Sequence, residues 1–153
     1  MERAHIASAR VAVPAERAFA YLRSIDAFRH WSLGCLETVE RGDGIWQGRS
    51  LFDGSATFCR LEVDESRLTI DFHVAGSPES LRPRISARVI GGEVLDEDHH
   101  SCLITLVAYR SAGMNDERWQ QLRATHECEI RLIRAQLEKG GDGWPSVAFD
   151  DRA

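Results

Sequence analysis

Residues 115–139 read NDERWQQLRATHECEIRLIRAQLEK, an uninterrupted stretch without glycine or proline. Several of its apolar residues recur at intervals of three, four or eight positions, which places them on one side of a helix with 3.6 residues per turn. These residues are Trp119, Leu122, Ile130, Ile133 and Leu137. The spacing predicts a long amphipathic helix, and the titratable side chain of His126 falls in the middle of its apolar stripe.

The ends of this helix carry recognisable boundary signals. Asn115 is a good N-cap, and Asp116 and Glu117 suit the positive end of the helix dipole. Gly140 and Gly141 predict the end of the helix. A helix of this length can either seal a core or roof a cavity, and a titratable residue on its inner face favours a cavity.

The chain before this helix is mostly strand-like. Residues 4–13 predict a strand, Pro14 opens a helix over residues 14–24, and residues 25–31 predict a second short helix. The cleanest alternation of apolar and polar residues follows at 68–74, and the apolar segment 102–109 predicts a strand covered on both faces. The remaining predicted strands, separated by glycine- and aspartate-rich turns, are 36–40, 45–52, 56–63 and 84–95.

This order of elements predicts an α+β fold. Consecutive strands joined by hairpin-like turns form an antiparallel sheet, which we expect to be curved, with two short helices near its start. The long C-terminal helix is the one element large enough to cover that sheet. We expect a single domain over residues 1–140, followed by a flexible acidic tail over residues 141–153.

Composition limits the classes of partner. The chain has 153 residues and a formal net charge of -5, which argues against nucleic acid and anionic membranes because both attract basic surfaces. Its longest apolar run, LITLVAY, is far shorter than the ~20 residues of a membrane-spanning helix. The polar first residues do not resemble a signal peptide, so we expect a cytoplasmic protein.

The cysteines and histidines do not predict a metal site. Cys35, Cys59, Cys102 and Cys128 are widely separated and form no C-x-x-C pair, which favours free thiols in a reducing compartment. The pair His99-His100 lacks a third ligand at a suitable spacing, so a solvated acidic turn is favoured there. We therefore predict no metal and no cofactor.

Three segments together resemble the START/Bet v 1-like superfamily, also called the SRPBCC, helix-grip or polyketide cyclase/dehydratase-like fold. They are RVAVPAERAFAYLRSIDAFRHW at residues 10–31, LEVDESRLTIDFHV at 61–74, and CLITLVAY at 102–109 with the helix that follows. The resemblance covers residues 4–139 and rests on the order of elements. It implies a cavity between the sheet and the last helix that holds apolar or aromatic ligands.

The candidate ligand-binding residues follow from this arrangement. They are the large side chains expected to face the space between the sheet and the last helix, where they either line a cavity or fill a core. The set comprises Trp31, Phe52, Phe58, Ile70, Phe72, Tyr109, Trp119, Leu122, His126, Ile130 and Ile133.

Three hypotheses for function remain open. The first is binding of a small hydrophobic or aromatic molecule, polyketide- or lipid-like, in the cavity. The second is a cyclase- or dehydratase-type enzyme in which His126 acts as acid and base while Tyr109 polarises a carbonyl. The third is a protein-interaction module or a homodimer, which would use the weaker apolar stripe on the back of the last helix and the tail residues 144–149. That stripe consists of Ala124, Cys128, Leu132 and Ala135.

Overall fold

The computed structural model describes residues 1–139. Seven strands form one antiparallel sheet with three helices. The strands are β1 (Ala4–Val11), β2 (Leu36–Gly42), β3 (Ile45–Arg49), β4 (Ala56–Asp64), β5 (Thr69–Ala75), β6 (Arg82–Gly91) and β7 (Cys102–Tyr109). The helices are α1 (Ala15–Arg23), α2 (Ile25–Phe28) and α3 (Asp116–Lys139), and single 3₁₀ turns lie at Pro78–Ser80 and Gly92–Leu95.

The sheet order is β1-β7-β6-β5-β4-β3-β2, and every neighbouring pair is antiparallel. Only the β1–β7 pair joins strands that are distant in sequence, so the sheet is otherwise a meander built from hairpins. α3 packs against β1 and β7, and α1 packs against β6 and β7. The predicted α+β fold, with a curved antiparallel sheet, two short helices and one long C-terminal helix, is confirmed.

The core lies on one face of the sheet. Along β7 the inward residues are buried, whereas the residues between them stay partly exposed. The prediction that this strand is covered on both faces is therefore wrong. The buried side chains of the helices and of the sheet form a single cluster on one face of the sheet. The buried residues of β7 are Cys102, Ile104, Leu106 and Ala108.

Several predicted boundaries differ from the structure by a few residues. Pro14 is the N-cap of α1 rather than its first residue. The predicted strand 45–52 ends at Arg49, and residues 50–55 form a loop in which Gly54 N–H donates to the Ser50 carbonyl at 2.9 Å. β6 ends at Gly91, where a 3₁₀ turn begins; a Cβ on Gly92 would lie 2.1 Å from the Asp98 carbonyl oxygen, so that turn requires glycine.

No helix within residues 1–139 is both long and apolar enough to cross a membrane. The predicted domain end at residue 140 and the predicted tail 141–153 lie outside the described residues.

Candidate functional site

A cavity of about 500 Å³ lies beneath the first half of α3. α3 forms one wall, the inner face of the sheet forms another, and the segment from α2 to residue 35 closes the inner side. The loop 50–55 stands at its edge. The apolar side chains on its wall are Phe28, Trp31, Phe52, Phe72, Val74, Ile85, Leu106 and Leu122.

Three packed aromatic rings form part of this wall. Phe28 stacks on Phe72 with ring centroids 5.8 Å apart, and the Trp31 ring meets both edge-on at 5.0 and 5.9 Å. Aromatic rings favour these offset and edge-to-face arrangements because their faces are electron-rich and their edges are electron-poor. The cluster joins α2 to β5 and holds Trp31 against the cavity.

The buried His126 imidazole lies on the cavity wall and is 1% exposed. Within residues 1–139 its Nδ1 atom has no hydrogen-bond partner. Burial lowers the pKa of His126 to about 4, with a further contribution from the nearby His5, while Glu127 opposes the change. The imidazole is therefore neutral near pH 7, and its buried Nδ1 has no protein partner within residues 1–139.

Glu129 is a cavity residue that the sequence interpretation missed. Its side chain is on the cavity wall and the residue is 6% exposed. Burial raises the pKa of Glu129 to about 8, and the backbone N–H of Leu33 against the carboxyl partly opposes this rise. The group is consequently a neutral carboxylic acid near pH 7, able to donate as well as accept a hydrogen bond. The signal in the sequence was a charged residue at a position on the apolar stripe, three residues after His126.

The edge of the cavity is polar. Both the backbone N–H and the hydroxyl of Ser55 donate to Asp53, at 2.9 and 2.6 Å, and these bonds lower the pKa of Asp53. The guanidinium of Arg118, in the first turn of α3, adds to that effect through its charge. Ser50, Gln121 and Thr125 complete this side of the wall. Charge is thus concentrated at the edge of the cavity rather than inside it.

Known proteins were compared with the chain at the level of sequence and of structure. No protein-family model matches it. No curated protein matches it. Among solved structures, the Zhui aromatase/cyclase from a Streptomyces species has a TM-score of 0.62 at 16% identity, covering 90% of this chain and 94% of that chain. A START superfamily protein from Mycobacterium smegmatis has a TM-score of 0.64 at 10% identity and covers 90% and 99%. The Aha1 dimer from Colwellia psychrerythraea has a TM-score of 0.67 at 14% identity and covers 92% and 99%.

The protein has a START/Bet v 1-like fold. At identities of 10 to 16% this likeness concerns the fold alone. It agrees with the resemblance inferred from the order of elements.

The helix-grip fold brings together only part of the predicted ligand-binding set. Trp31, Phe52, Phe72, Leu122 and His126 are on the cavity wall. The others do not line it. Ile70, Trp119, Ile130 and Ile133 are buried beside it, and Phe58 alternates on β4 with the inward-facing Thr57 and Cys59.

Tyr109 cannot take the role predicted for it. The residue is 40% exposed at the end of β7, and its hydroxyl donates to Ser86 Oγ at 3.4 Å. Ser86 in turn donates to Asp71 at 2.5 Å. Because Ala108 points into the core, strand alternation directs Tyr109 to the other face of the sheet, away from the cavity.

Trp119 has a structural role at the N-terminal side of the domain. Its indole Nε1–H donates to the Glu2 carboxylate at 2.9 Å, and the Arg110 guanidinium lies 5.9 Å from the ring centroid. The residue is 1% exposed. These contacts fix the start of α3 against the residues that flank β1 and β7.

Two of the widely separated cysteines meet beside the cavity. Cys35 lies on the wall, is hydrogen-bonded to Cys59, and has its Sγ atom 3.6 Å from the Thr57 carbonyl oxygen. The bond from Cys59 lowers the pKa of Cys35 and raises that of Cys59. A Cβ at residue 48 would lie 2.8 Å from Cys35 Sγ, so Gly48 leaves the room that this thiol occupies. Both cysteines are free thiols.

Within residues 1–139, one group of three histidine, cysteine or acidic side chains could together contact a metal ion. It consists of Asp98, His99 and His100, whose possible ligand atoms lie within 4.8 Å of one another. The spacing predicted no third ligand beside the histidine pair, but Asp98 lies there, and the two histidine rings, which follow a 3₁₀ turn, have centroids 4.0 Å apart. All three are exposed. Asp98 accepts from the backbone N–H of His100 at 2.7 Å, as in an ordinary solvated turn.

The back of α3 is accessible along the weaker apolar stripe. Ala124, Cys128 and Ala135 are exposed and Leu132 is half-buried. Its use in a homodimer or with another protein stays a prediction, and the tail residues 144–149 that we expected to share in it lie outside the described residues.

Proposed function

We propose that this protein binds a small apolar or aromatic molecule in the cavity beneath α3. The observation that carries the proposal is a space of about 500 Å³ whose wall combines aromatic and aliphatic side chains with a few inward polar groups. Ligand sites in proteins commonly have volumes of roughly 300–1,000 Å³ and this mixture of surfaces.

A packed core would not leave such a space. Protein interiors are packed about as densely as organic crystals, and voids much larger than a water molecule are few. The residues behind the wall, among them Ile70 and Ile133, are fully buried, so the open volume is local rather than a general looseness. Its interior position next to buried aromatic rings supports a hydrophobic ligand.

Filling the cavity with a larger side chain is expected to abolish binding. Leu122 is half-buried on the wall, so Leu122→Trp would extend an indole into the space that a ligand occupies. With 2-acetylnaphthalene free at about ten times its Kd, the wild-type melting temperature should rise by about 3–6 °C. The Leu122→Trp protein should show no rise, measured by differential scanning fluorimetry.

Gln120→Trp is the matched control, because residue 120 is exposed on the same helix. It should respond to the ligand as the wild type does. The absence of any shift in the wild type, across a panel of aromatic and lipid-like compounds, would refute binding in this cavity. Equal shifts in wild type and Leu122→Trp would place the ligand elsewhere.

The second candidate is an enzyme acting on a carbonyl compound. Glu129 favours it, since a neutral acid and a neutral imidazole, three residues apart on α3, face one cavity. His126 would remove a proton from the carbon next to the carbonyl while Glu129 donates its proton to the carbonyl oxygen, giving an enol. The same two groups would reverse the step. Glu129 thereby takes the part first assigned to Tyr109.

This candidate predicts exchange of the methyl hydrogens of 2-acetylnaphthalene for deuterium in D₂O. Proton NMR should record loss of the methyl signal with wild-type protein at a rate well above the protein-free rate. His126→Ala should abolish the exchange while the compound still shifts the melting temperature. If exchange survives that substitution, or if the wild type gives none, the acid–base role is wrong and simple binding remains.

A further inference from the structure

Two hydrogen-bond donors at the inner end of the cavity have no use within the fold. The Trp31 indole is 3% exposed, and its Nε1 atom has no hydrogen-bond partner among residues 1–139. An indole nitrogen can only donate. A buried donor without an acceptor costs folding free energy. The Trp31 side chain lies on the cavity wall, so a ligand there can supply the missing acceptor if the indole N–H turns towards it.

The second donor is the Glu129 carboxyl. It remains protonated near neutral pH, and the Leu33 N–H lies against it. Leu33 is two residues beyond Trp31, and Gln136 of α3 donates to the carbonyl of the neighbouring His30 at 2.7 Å. These contacts join α3 to residues 30–33. The Glu129 carboxyl and the Trp31 indole therefore lie at the same end of the cavity.

His126 adds a third polar atom on the same helix face. Its unpartnered Nδ1 belongs to a neutral ring, and the titratable neighbours of that ring are His5 on β1 and Glu127 on α3. Depending on its tautomer, Nδ1 either donates or accepts. The inner end therefore presents neutral hydrogen-bonding groups without any charge.

The cation nearest to a ligand lies at the other end. Arg118 is the one lysine or arginine on the described part of the wall, and Asp53 is already close to it. Arg118 and Glu129 are separated by eleven positions on α3, or about 16 Å along a helix that rises about 1.5 Å per residue. An anionic group at the inner end would be buried there without a counter-ion, which is strongly unfavourable.

We propose that the ligand is a neutral aromatic compound whose ketone or phenol oxygen accepts hydrogen bonds from Trp31 and Glu129, and that carboxylates of the same shape are rejected. This inference rests on the proposed function and narrows it. The apolar walls contact the ring system of the ligand, and the donors at the inner end bind its oxygen. Fatty acids and other ligands with a deeply buried carboxylate are excluded by the same arrangement.

Three compounds of nearly identical shape test the proposal. They are 2-acetylnaphthalene, its alkene isostere 2-isopropenylnaphthalene, and 2-naphthoate. We expect wild-type protein at pH 6.5 to bind the ketone at least tenfold more tightly than 2-naphthoate by isothermal titration calorimetry. In Glu129→Leu the ratio of the alkene Kd to the ketone Kd should fall at least tenfold relative to wild type.

Glu129→Gln and Trp31→Phe distinguish the effect of losing a hydrogen-bond donor from the effect of changing the shape of the cavity wall. The glutamine amide still donates, so Glu129→Gln should keep the wild-type ratio, whereas Trp31→Phe should lower it as Glu129→Leu does. Glu117→Leu, at an exposed position on the same helix, should leave the ratio unchanged.

The outcomes distinguish a failure of the proposed oxygen selectivity from a failure of ligand binding in the cavity. If neither these three compounds nor the wider panel of aromatic and lipid-like compounds binds the wild type, cavity binding itself fails. If only charged members of that panel bind, the inference alone is overturned. If the alkene binds but the Kd ratio is the same in wild type and Glu129→Leu, cavity binding stands and the donor role is overturned. Tight binding of 2-naphthoate, equal to that of the ketone, overturns the rejection of carboxylates.

Discussion

Replacing Phe72 by alanine is expected to destabilise the protein by about 3–4 kcal/mol. Phe72 is 1% exposed at the centre of β5, and its ring stacks on Phe28 and meets the edge of Trp31. Its removal deletes buried surface and both ring contacts, and it loosens the junction between α2 and the sheet. Urea denaturation followed by circular dichroism measures the loss.

Phe52→Ala is the control for the same chemical change. Phe52 also touches the cavity, but it lies in the loop 50–55 and is 50% exposed. Its truncation should cost less than about 1 kcal/mol, since exposed side chains lose little on removal. Similar losses for the two variants would mean that the aromatic cluster does not hold the cavity wall in place.

The difference between these two phenylalanines also marks a limit of sequence reasoning. Alternation along residues 68–74 correctly placed Phe72 on the inner face, because period two is unambiguous in that strand. Phe52 was predicted at the end of a strand, yet β3 stops at Arg49. The backbone N–H of Leu51 donates to the carbonyl of Leu33, which is far away in sequence, at 2.9 Å. This hydrogen bond holds the loop so that Phe52 reaches the cavity. Local pattern carries no information about such a contact.

Apolar periodicity was sufficient for the main elements. The predicted helix 115–139 is α3 at Asp116–Lys139, and the strand at 102–109 has the predicted bounds. These elements are long, regular and determined by their own sequence. The packing of α3 was harder to predict from the sequence. One apolar stripe faces the closely packed core at Ile130 and Ile133, but the same stripe faces the cavity at Leu122 and His126.

The position of Glu129 on the apolar stripe was visible in the sequence, but its burial and protonation were not. Glutamate is ordinarily ionised and exposed, and its burial here depends on tertiary neighbours such as Leu33. Cys35 and Cys59 likewise meet only because strand pairing brings them together across Gly48. The chemistry of the site is therefore determined by folding contacts that the linear pattern does not encode.

Glu129 should make the protein less stable as the pH rises from 6.5 to 8. Its pKa is about 8 in the folded protein and 4.5 in the reference state, so within that interval the folded chain holds a proton that the unfolded chain has released. Raising the pH then favours unfolding by about 1.4 kcal/mol per pH unit. The expected loss between pH 6.5 and 8 is about 2 kcal/mol.

His126 acts in a different interval and with the opposite sign. Its pKa is lowered from 6.5 to about 4, so stability is lost as the pH falls from 6.5 towards 4 and is unaffected above that interval. The other titratable groups on the cavity wall, Cys35, Asp53 and Arg118, are retained when only Glu129 is changed. A comparison of wild type with one variant therefore isolates Glu129.

Glu129→Gln is that variant, because glutamine keeps the shape and can still accept from Leu33 N–H but does not titrate. Urea denaturation at several pH values should find the stability advantage of Glu129→Gln over wild type increasing by about 2 kcal/mol from pH 6.5 to 8. Glu117→Gln, at an exposed position on α3, should keep a constant difference from wild type. A constant difference for Glu129→Gln as well would mean that the carboxyl is ionised inside the cavity at neutral pH. The inner end would then carry a negative charge, and a ketone oxygen would find an acceptor where the proposed site requires a donor.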